Sequence, residues 1–241
     1  MKPIRAVLFD YGGTLTTLTI SVEDLRTKCL HGIQSFLQNR GINVTILQLR
    51  EADREAWRSS QLQGSLREAD ATEFLTQLLR RSGVSVTRGD VMVEDVAKVD
   101  YMTAVPYMEL LPETLPTLIA LRDHHYRMGV VSNNLFPQML RASIERLGLK
   151  SFFDTIVASG DVGVRKPAPE IFQTALSHLG CQAEETMFVG DRFEEDIEGA
   201  KNVGMTTVWL NSSAETRRGS IMPDHEVKHL SAILRILGLD A

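Results

Sequence analysis

An α/β fold, built as a parallel sheet covered by helices on both faces and interrupted after its first strand by an α-helical insert, is predicted by three features of this 241-residue sequence. Short, continuously apolar runs recur along the chain. Segments with an apolar period of three to four residues separate them, and a long stretch near the N-terminus has that period but no comparable run. Continuous apolar runs fit strands buried on both faces, as in a parallel sheet between helical layers, whereas a sheet with one face in water shows alternation.

Taken in order, Ala6-Val7-Leu8-Phe9 is the first strand, stopped by Asp10 and the glycines Gly12 and Gly13. From about residue 17 to 105 the pattern is helical. Val22, Leu25, Cys29, Ile33, Phe36 and Leu37 step by three or four, as do Phe74, Leu75, Leu78 and Leu79. Gly41, Gly64, Gly83 and Gly89 punctuate the stretch, and Gly41 and Gly83 stand where helices are expected to stop. The charged run Arg50, Glu51, Asp53, Arg54 and Glu55 reads as a solvated helix face, and Trp57 is a candidate for lining a cleft. Alternation resumes near residue 106, with strands at 128–131, 155–158, 187–189 and 206–210 and helices at 136–147 and 169–179. The expected organisation is a discontinuous core, 1–16 and 106–241, carrying the insert 17–105.

Composition bounds the function. At 43% hydrophobic and 24% charged residues the chain is ordinary globular protein, not disordered or fibrous. Lys+Arg 26 against Asp+Glu 31 gives a charge of −5, which argues against nucleic acid as the main partner. Apolar runs fall short of the roughly 18 residues that suggest a membrane span, and Met1-Lys2-Pro3-Ile4-Arg5 lacks a signal-peptide core, so a cytoplasmic location is expected. Cys29 and Cys181 have no pairing or metal-ligand spacing and read as buried apolar fillers. His225 and His229, at i and i+4 without a third ligand, read as a surface pair. No feature specifies an oligomeric state.

The polar residues fall at the strand ends: Asp10 after the first, Ser132-Asn133 after the second, Lys166 shortly after the third, Asp191 and Asp196 after the fourth. In an open parallel sheet those ends line the crevice where ligands bind. Two carboxylates at neighbouring strand ends repel one another unless a cation lies between them, and an oxygen-rich site of this size suits Mg²⁺; Asp10 and Asp191 are the candidates. The Ser132 hydroxyl, backbone N–H groups near Asn133 and the Lys166 ammonium offer donors to a phosphoryl group, and a carboxylate can attack phosphorus.

These residues stand in motifs. Phe9-Asp10-Tyr11-Gly12-Gly13-Thr14-Leu15 resembles the first motif of the haloacid dehalogenase-like (HAD) hydrolase superfamily, D-x-D-G-T-L. Val130-Val131-Ser132-Asn133-Asn134 is similar to the second, Lys166-Pro167-Ala168-Pro169 to the third, and Gly190-Asp191-Arg192-Phe193-Glu194-Glu195-Asp196 to the fourth. The resemblance implies a Rossmann-like core with an inserted helical cap that contacts the leaving group, and a Mg²⁺-dependent phosphatase acting on a small phosphorylated metabolite. It implies that Asp10 is the nucleophile and a metal ligand, that Asp191 and the Gly12 carbonyl are further ligands, and that Asp196 is a ligand or an orienter. Thr14, Ser132, Asn133 and Lys166 then form the phosphate site, Thr14 bracing the first loop and Lys166 also neutralising charge beside the nucleophile.

One position departs from the pattern. The family's phosphatases carry a second Asp two residues after the nucleophile, and this chain has Gly12 there. Such proton transfer contributes about 10²–10⁴-fold, so its absence points to substrates with acidic leaving groups, such as acyl, aryl or anomeric phosphates, or to an acid supplied elsewhere. The alternatives are a metal-independent 2-haloacid dehalogenase and a weakly catalytic protein that binds a phosphorylated ligand or a partner. A phosphonatase needs a cap lysine, for which only Lys28 and Lys98 are on offer.

Overall fold

In the strand Ala6–Phe9 (β1) alternate side chains serve two different layers: Val7 and Phe9 enter one apolar cluster, Ala6 and Leu8 the other. With all four residues fully buried, β1 has no face to offer water and lies inside the sheet. The computed structural model describes residues 2–60, 65–212 and 221–239; Gly64 and Met1 lie outside them.

After β1 come β2 (Thr16–Leu18), α1 (Val22–Gln38), α2 (Ile46–Ser60), α3 (Ala71–Arg81), α4 (Val91–Ala104) and β3 (Met108–Leu110). The chain continues through α5 (Thr114–Asp123), β4 (Arg127–Ser132), α6 (Pro137–Arg146), β5 (Thr155–Ala158), α7 (Ser159–Val162) and α8 (Pro169–Leu179). Last are β6 (Thr186–Gly190), a π-helical turn (Phe193–Glu198), α9 (Gly199–Asn202), β7 (Thr206–Leu210), β8 (His225–Val227) and α10 (Ala232–Ile236). The main sheet is six-stranded and parallel, in the order β5-β4-β1-β6-β7-β8. One face packs on α5, α6 and α10 through Leu118, Leu121, Leu140, Ile144 and Ile233. The other packs on α8 and α9 through Ile171, Phe172, Leu179 and Ala200. Burying one such large apolar side chain contributes about 1.5–3 kcal/mol.

The helical stretch α1–α4 hangs on a two-stranded antiparallel stem, β2 leading in and β3 leading out, paired Thr16 with Leu110 and Leu18 with Met108. Within it α1 packs on α4 and α2 on α3. A separate apolar cluster fills it, including Ile33, Leu37, Leu49, Phe74 and Leu78, and Leu135 and Phe136 join from the loop before α6. Side-chain caps start three of these helices: Ser21 Oγ accepts from the Asp24 N–H, Asp70 from Glu73, and Asp90 from Met92.

The five predicted strands all form, as do the helices 169–179 and, trimmed to Pro137–Arg146, 136–147. Three expectations need correction. Val22 is the first residue of α1 and stands 71% exposed, beyond the reach of the packed face. Asp53 is buried, because it answers a guanidinium of α1. Cys181 is only half-buried. No helix among the described residues is long and apolar enough to cross a membrane.

Candidate active site

The strands that lead to Ser132, Asp10 and Asp191 are β4, β1 and β6, immediate neighbours and parallel, so their carboxyl ends meet at one edge. Asp10 follows β1 and is 6% exposed; its N–H donates to the Val189 carbonyl, which holds the turn against β6. Asp10 Oδ1 accepts from Lys166 Nζ at 2.5 Å, and Oδ2 has no hydrogen-bond partner among the described residues. Lys166 Nζ also donates to Asp196 Oδ1 at 2.6 Å, and the whole lysine is buried. Its peptide bond to Pro167 is cis.

The loop after Asp10 turns tightly. Gly13, at φ +90°, lies against the Asp191 carboxylate, which a Cβ would overlap. Thr14 is fully buried and donates its hydroxyl to Asp191 Oδ1 at 3.1 Å, so it orients that carboxylate. Gly12 is different: nothing lies within 4 Å of a Cβ placed there. Tyr11 points away from the edge, with its hydroxyl 2.5 Å from Ser143 Oγ on α6, and burial pushes its pKa up to about 12. Across β6, Gly190 makes room for the Asp196 side chain, whose Oδ2 accepts from the Arg192 N–H at 2.9 Å.

Ser132 ends β4 nearly buried, and its hydroxyl has no hydrogen-bond partner among the described residues. The Asn133 side chain is differently placed from the phosphate donor that the motif implies. Its Oδ1 accepts from the Lys166 N–H at 2.7 Å, and its Nδ2 donates to the Lys166 carbonyl at 3.1 Å and to Glu195 Oε2 at 3.0 Å.

Asp10, Asp191 and Asp196 offer oxygen atoms that all lie within 4.8 Å of one another, an acidic cluster able to hold a metal ion. Its electrostatics match. Burial, and then the charge of Asp10, push Asp191 up to about 6. Asp196 is also raised, by burial and by Asp10, against the pull of Lys166. Burial works against the Lys166 ammonium, but the two carboxylates beside it outweigh this and hold its pKa above the ordinary lysine value.

Several contributors carry no local sequence signal. Trp209 donates its indole N–H to the Asp191 carbonyl at 2.9 Å, the partner a buried Trp needs. Glu195 reads in the sequence only as part of an acidic run. Residues 66–68, between α2 and α3, lie antiparallel to 163–165: the Arg165 N–H donates to the Leu66 carbonyl at 2.8 Å and Glu68 N–H to the Gly163 carbonyl at 2.9 Å. Glu68 further accepts from Ser159 Oγ at 2.5 Å. This strap ends one residue before Lys166. Beside it lies a cavity of about 880 Å³ whose lining includes Trp57, Arg67, Glu68, Arg165 and Lys166. Lys28 and Lys98 are exposed elsewhere, Lys28 over the ring of Tyr107. His225 and His229 are exposed as well.

A parallel sheet with a lysine-bound carboxylate and an acidic cluster at its carboxyl edge defines a class, hydrolases of α/β architecture that work at strand ends. The chain belongs within it to the haloacid dehalogenase-like hydrolases, whose family model matches residues 4–204. It is 32% identical over 239 residues, 97% of each chain, to a glyceraldehyde 3-phosphate phosphatase of Methanopyrus kandleri. Among solved structures it resembles a HAD phosphatase from Thermococcus onnurineus, at 27% identity and TM-score 0.66 over 98% of each chain. A 2-haloacid dehalogenase from Pseudomonas syringae pv. Tomato superposes at TM-score 0.74 over 98% of each chain, and its 22% identity speaks to the fold alone. The chain is an enzyme, a hydrolase of the phosphatase type.

Proposed function

We propose that this protein is a Mg²⁺-dependent phosphatase that cleaves a small phosphorylated metabolite through an aspartyl-phosphate on Asp10. The observation that carries the reading is the Lys166 bridge between Asp10 and Asp196 with Asp191 alongside. Hard carboxylate oxygens, with the Asp191 pKa raised by burial and then by the charge of Asp10, fit a small divalent cation, and Mg²⁺ favours such a donor set. Asp10, Asp191 and the Gly12 carbonyl would hold the ion, with Asp196 at the edge of the cluster because both its oxygens are engaged. When bound, the metal supplies charge neutralisation for the phosphoryl oxygens.

The chain's own residues do the rest. Asp10 Oδ2, free of hydrogen bonds among the described residues, attacks phosphorus while Lys166 holds Oδ1. The ester P–O bond breaks, and the departing oxygen takes a proton from solvent or substrate, since position 12 carries no acid. Water then attacks the phosphorus of the acyl phosphate, releasing inorganic phosphate and restoring the Asp10 carboxylate. The Ser132 hydroxyl and the Asn133 backbone N–H donate to the phosphoryl oxygens; the next N–H, of Asn134, is taken by Ser159 Oγ. Residues 17–105 act as a cap over a core of 1–16 and 106–241, and the cavity beside Trp57 and Arg67 receives the leaving group.

Missing the acid, the site favours acyl, aryl and anomeric phosphates over alkyl phosphates. The relative named as a glyceraldehyde 3-phosphate phosphatase makes that sugar phosphate the first alkyl ester to test. Two free thiols, Cys29 and Cys181, suit a reducing cytoplasm. The dehalogenase reading has less support: Tyr11 is turned into the core and the acidic cluster has no role in it.

Phosphate release with and without Mg²⁺, wild type against Asp10→Asn, tests the proposal. Release is expected to need both Mg²⁺ and Asp10; no Asp10-dependent release from acyl, aryl, sugar or nucleotide phosphates would leave a binding protein instead.

A further inference from the structure

We propose that Asn133 and Glu195 are positioning residues for Lys166, members of a closed hydrogen-bonded ring that fixes the lysine at its backbone and at its ammonium. One side-chain amide reads both polar groups of the Lys166 main chain: Oδ1 takes the N–H at 2.7 Å and Nδ2 gives to the carbonyl at 3.1 Å. The second Nδ2 hydrogen goes to Glu195 Oε2 at 3.0 Å. Glu195 Oε1 meets Arg192 Nη2 at 3.3 Å, the Arg192 N–H donates to Asp196 Oδ2 at 2.9 Å, and Asp196 Oδ1 returns to Lys166 Nζ at 2.6 Å. The circuit starts and finishes on the same residue.

Both hydrogens of the Asn133 amide are used, so the side chain has no donor left for a phosphoryl oxygen. Its orientation is also dictated, because the Lys166 N–H must face an oxygen. Asn133 therefore acts through the lysine. Glu195 sets the amide from behind, and its own charge is shared with an Arg192 that is largely exposed. The functional consequence rests on the reading of Lys166 as the partner of Asp10 in phosphoryl transfer. Displacing a reacting group by about 1 Å costs on the order of 10²-fold in rate, and a lysine buried between two carboxylates is a group for which such placement matters.

The test uses the full chain with Mg²⁺. Asn133→Asp keeps an acceptor for the Lys166 N–H, loses both donors and sets a second carboxylate against Glu195. Its kcat is expected to fall roughly 30–100-fold while KM moves by less than about threefold. Adding Glu195→Gln restores a donor–acceptor pair between the two positions, and the double variant is expected to regain about tenfold. A KM rise that matches the kcat loss, or no recovery in the double variant, overturns the positioning role in favour of direct substrate contact. An independent readout needs no turnover: in Asn133→Ala the Lys166 amide is expected to exchange with solvent at least about tenfold faster while the Phe188 amide in β6 is unchanged. Unchanged exchange at Lys166 overturns the clamp even in an active enzyme. If the wild type releases no phosphate, the reaction assignment fails and amide exchange alone decides the clamp. If Asn133→Ala does not fold, the comparison of Asn133→Asp with and without Glu195→Gln decides it.

Discussion

In the proposed reaction, position 12 decides how the leaving group gains its proton. The space beside it is open, and its φ is outside the left-handed region that excludes side chains, so glycine is not required there by the fold. Gly12→Asp is therefore expected to fold normally and to raise kcat/KM for alkyl phosphates by roughly 10²–10⁴-fold, with much less effect on aryl phosphates, whose leaving groups need no acid. Parallel assays on the two ester types check this; an equal gain on both would mean that the proton does not limit the reaction. At the same scale, Asp10, Lys166, Asp191 and Asp196 were visible in the sequence as a set, because four strand-end motifs follow one another in order; any one of them alone reads as readily as a turn or helix-capping residue. The task of Asn133 was not visible. Whether an amide faces a ligand or a neighbouring backbone depends on a residue thirty-three positions away, and no local pattern encodes that distance.

Among the elements, the helices of the insert are joined by an ion group that periodicity does not predict. Arg26 on α1 donates to Asp53 on α2 at 2.6 Å and to Asp100 on α4 at 2.5 Å, with both carboxylates nearly buried. Burial drives the Asp100 pKa upward, and Arg26 works against that rise. Arg26→Met removes the cation that both buried carboxylates share and is expected to cost about 3–5 kcal/mol of stability, read from the urea midpoint; a loss below about 1 kcal/mol would class the group with ordinary surface pairs. Here the sequence was partly opaque. Asp53 sits in a run of charges that are otherwise exposed or half-exposed, and only the approach of α1 distinguishes it. The stem strands β2 and β3 were missed for a related reason: three residues each are too few to show a period, and they become strands by pairing with one another. Five of the six strands of the main sheet were legible because burial on both faces writes itself into nearly every residue; the edge strand β8, exposed at His225 and Glu226, carries no such run.

Taken as a whole molecule, the site links folding, protons and metal. Asp191 titrates near 6 when folded against about 4 when unfolded. Between those values the folded chain holds a proton that the unfolded chain has released, so the stability of the metal-free protein falls as pH rises through that window. Asp196 shifts in the same direction. Mg²⁺ favours the deprotonated carboxylates, so the gain in Tm on adding it is expected to grow from about pH 5 to about pH 8. At a hundredfold excess over Kd the stabilisation reaches roughly 2.7 kcal/mol. Thermal melts across that range, with EDTA as the blank, check the sign; a larger gain at the acid end would place the metal elsewhere. The strap of residues 66–68 against 163–165 adds a mechanical fact. Two bodies joined by a pair of adjacent strands keep one axis of rotation between them, like a strip hinge. Attachments away from that hinge remove this freedom, so swinging the helical layer outward means parting the Leu66–Arg165 and Gly163–Glu68 bonds, the Ser159–Glu68 bond and the packing of Leu135 and Phe136 in the insert. The piece of chain that must then yield runs directly into Lys166, so the same displacement that opens the cleft also pulls on the lysine's mooring.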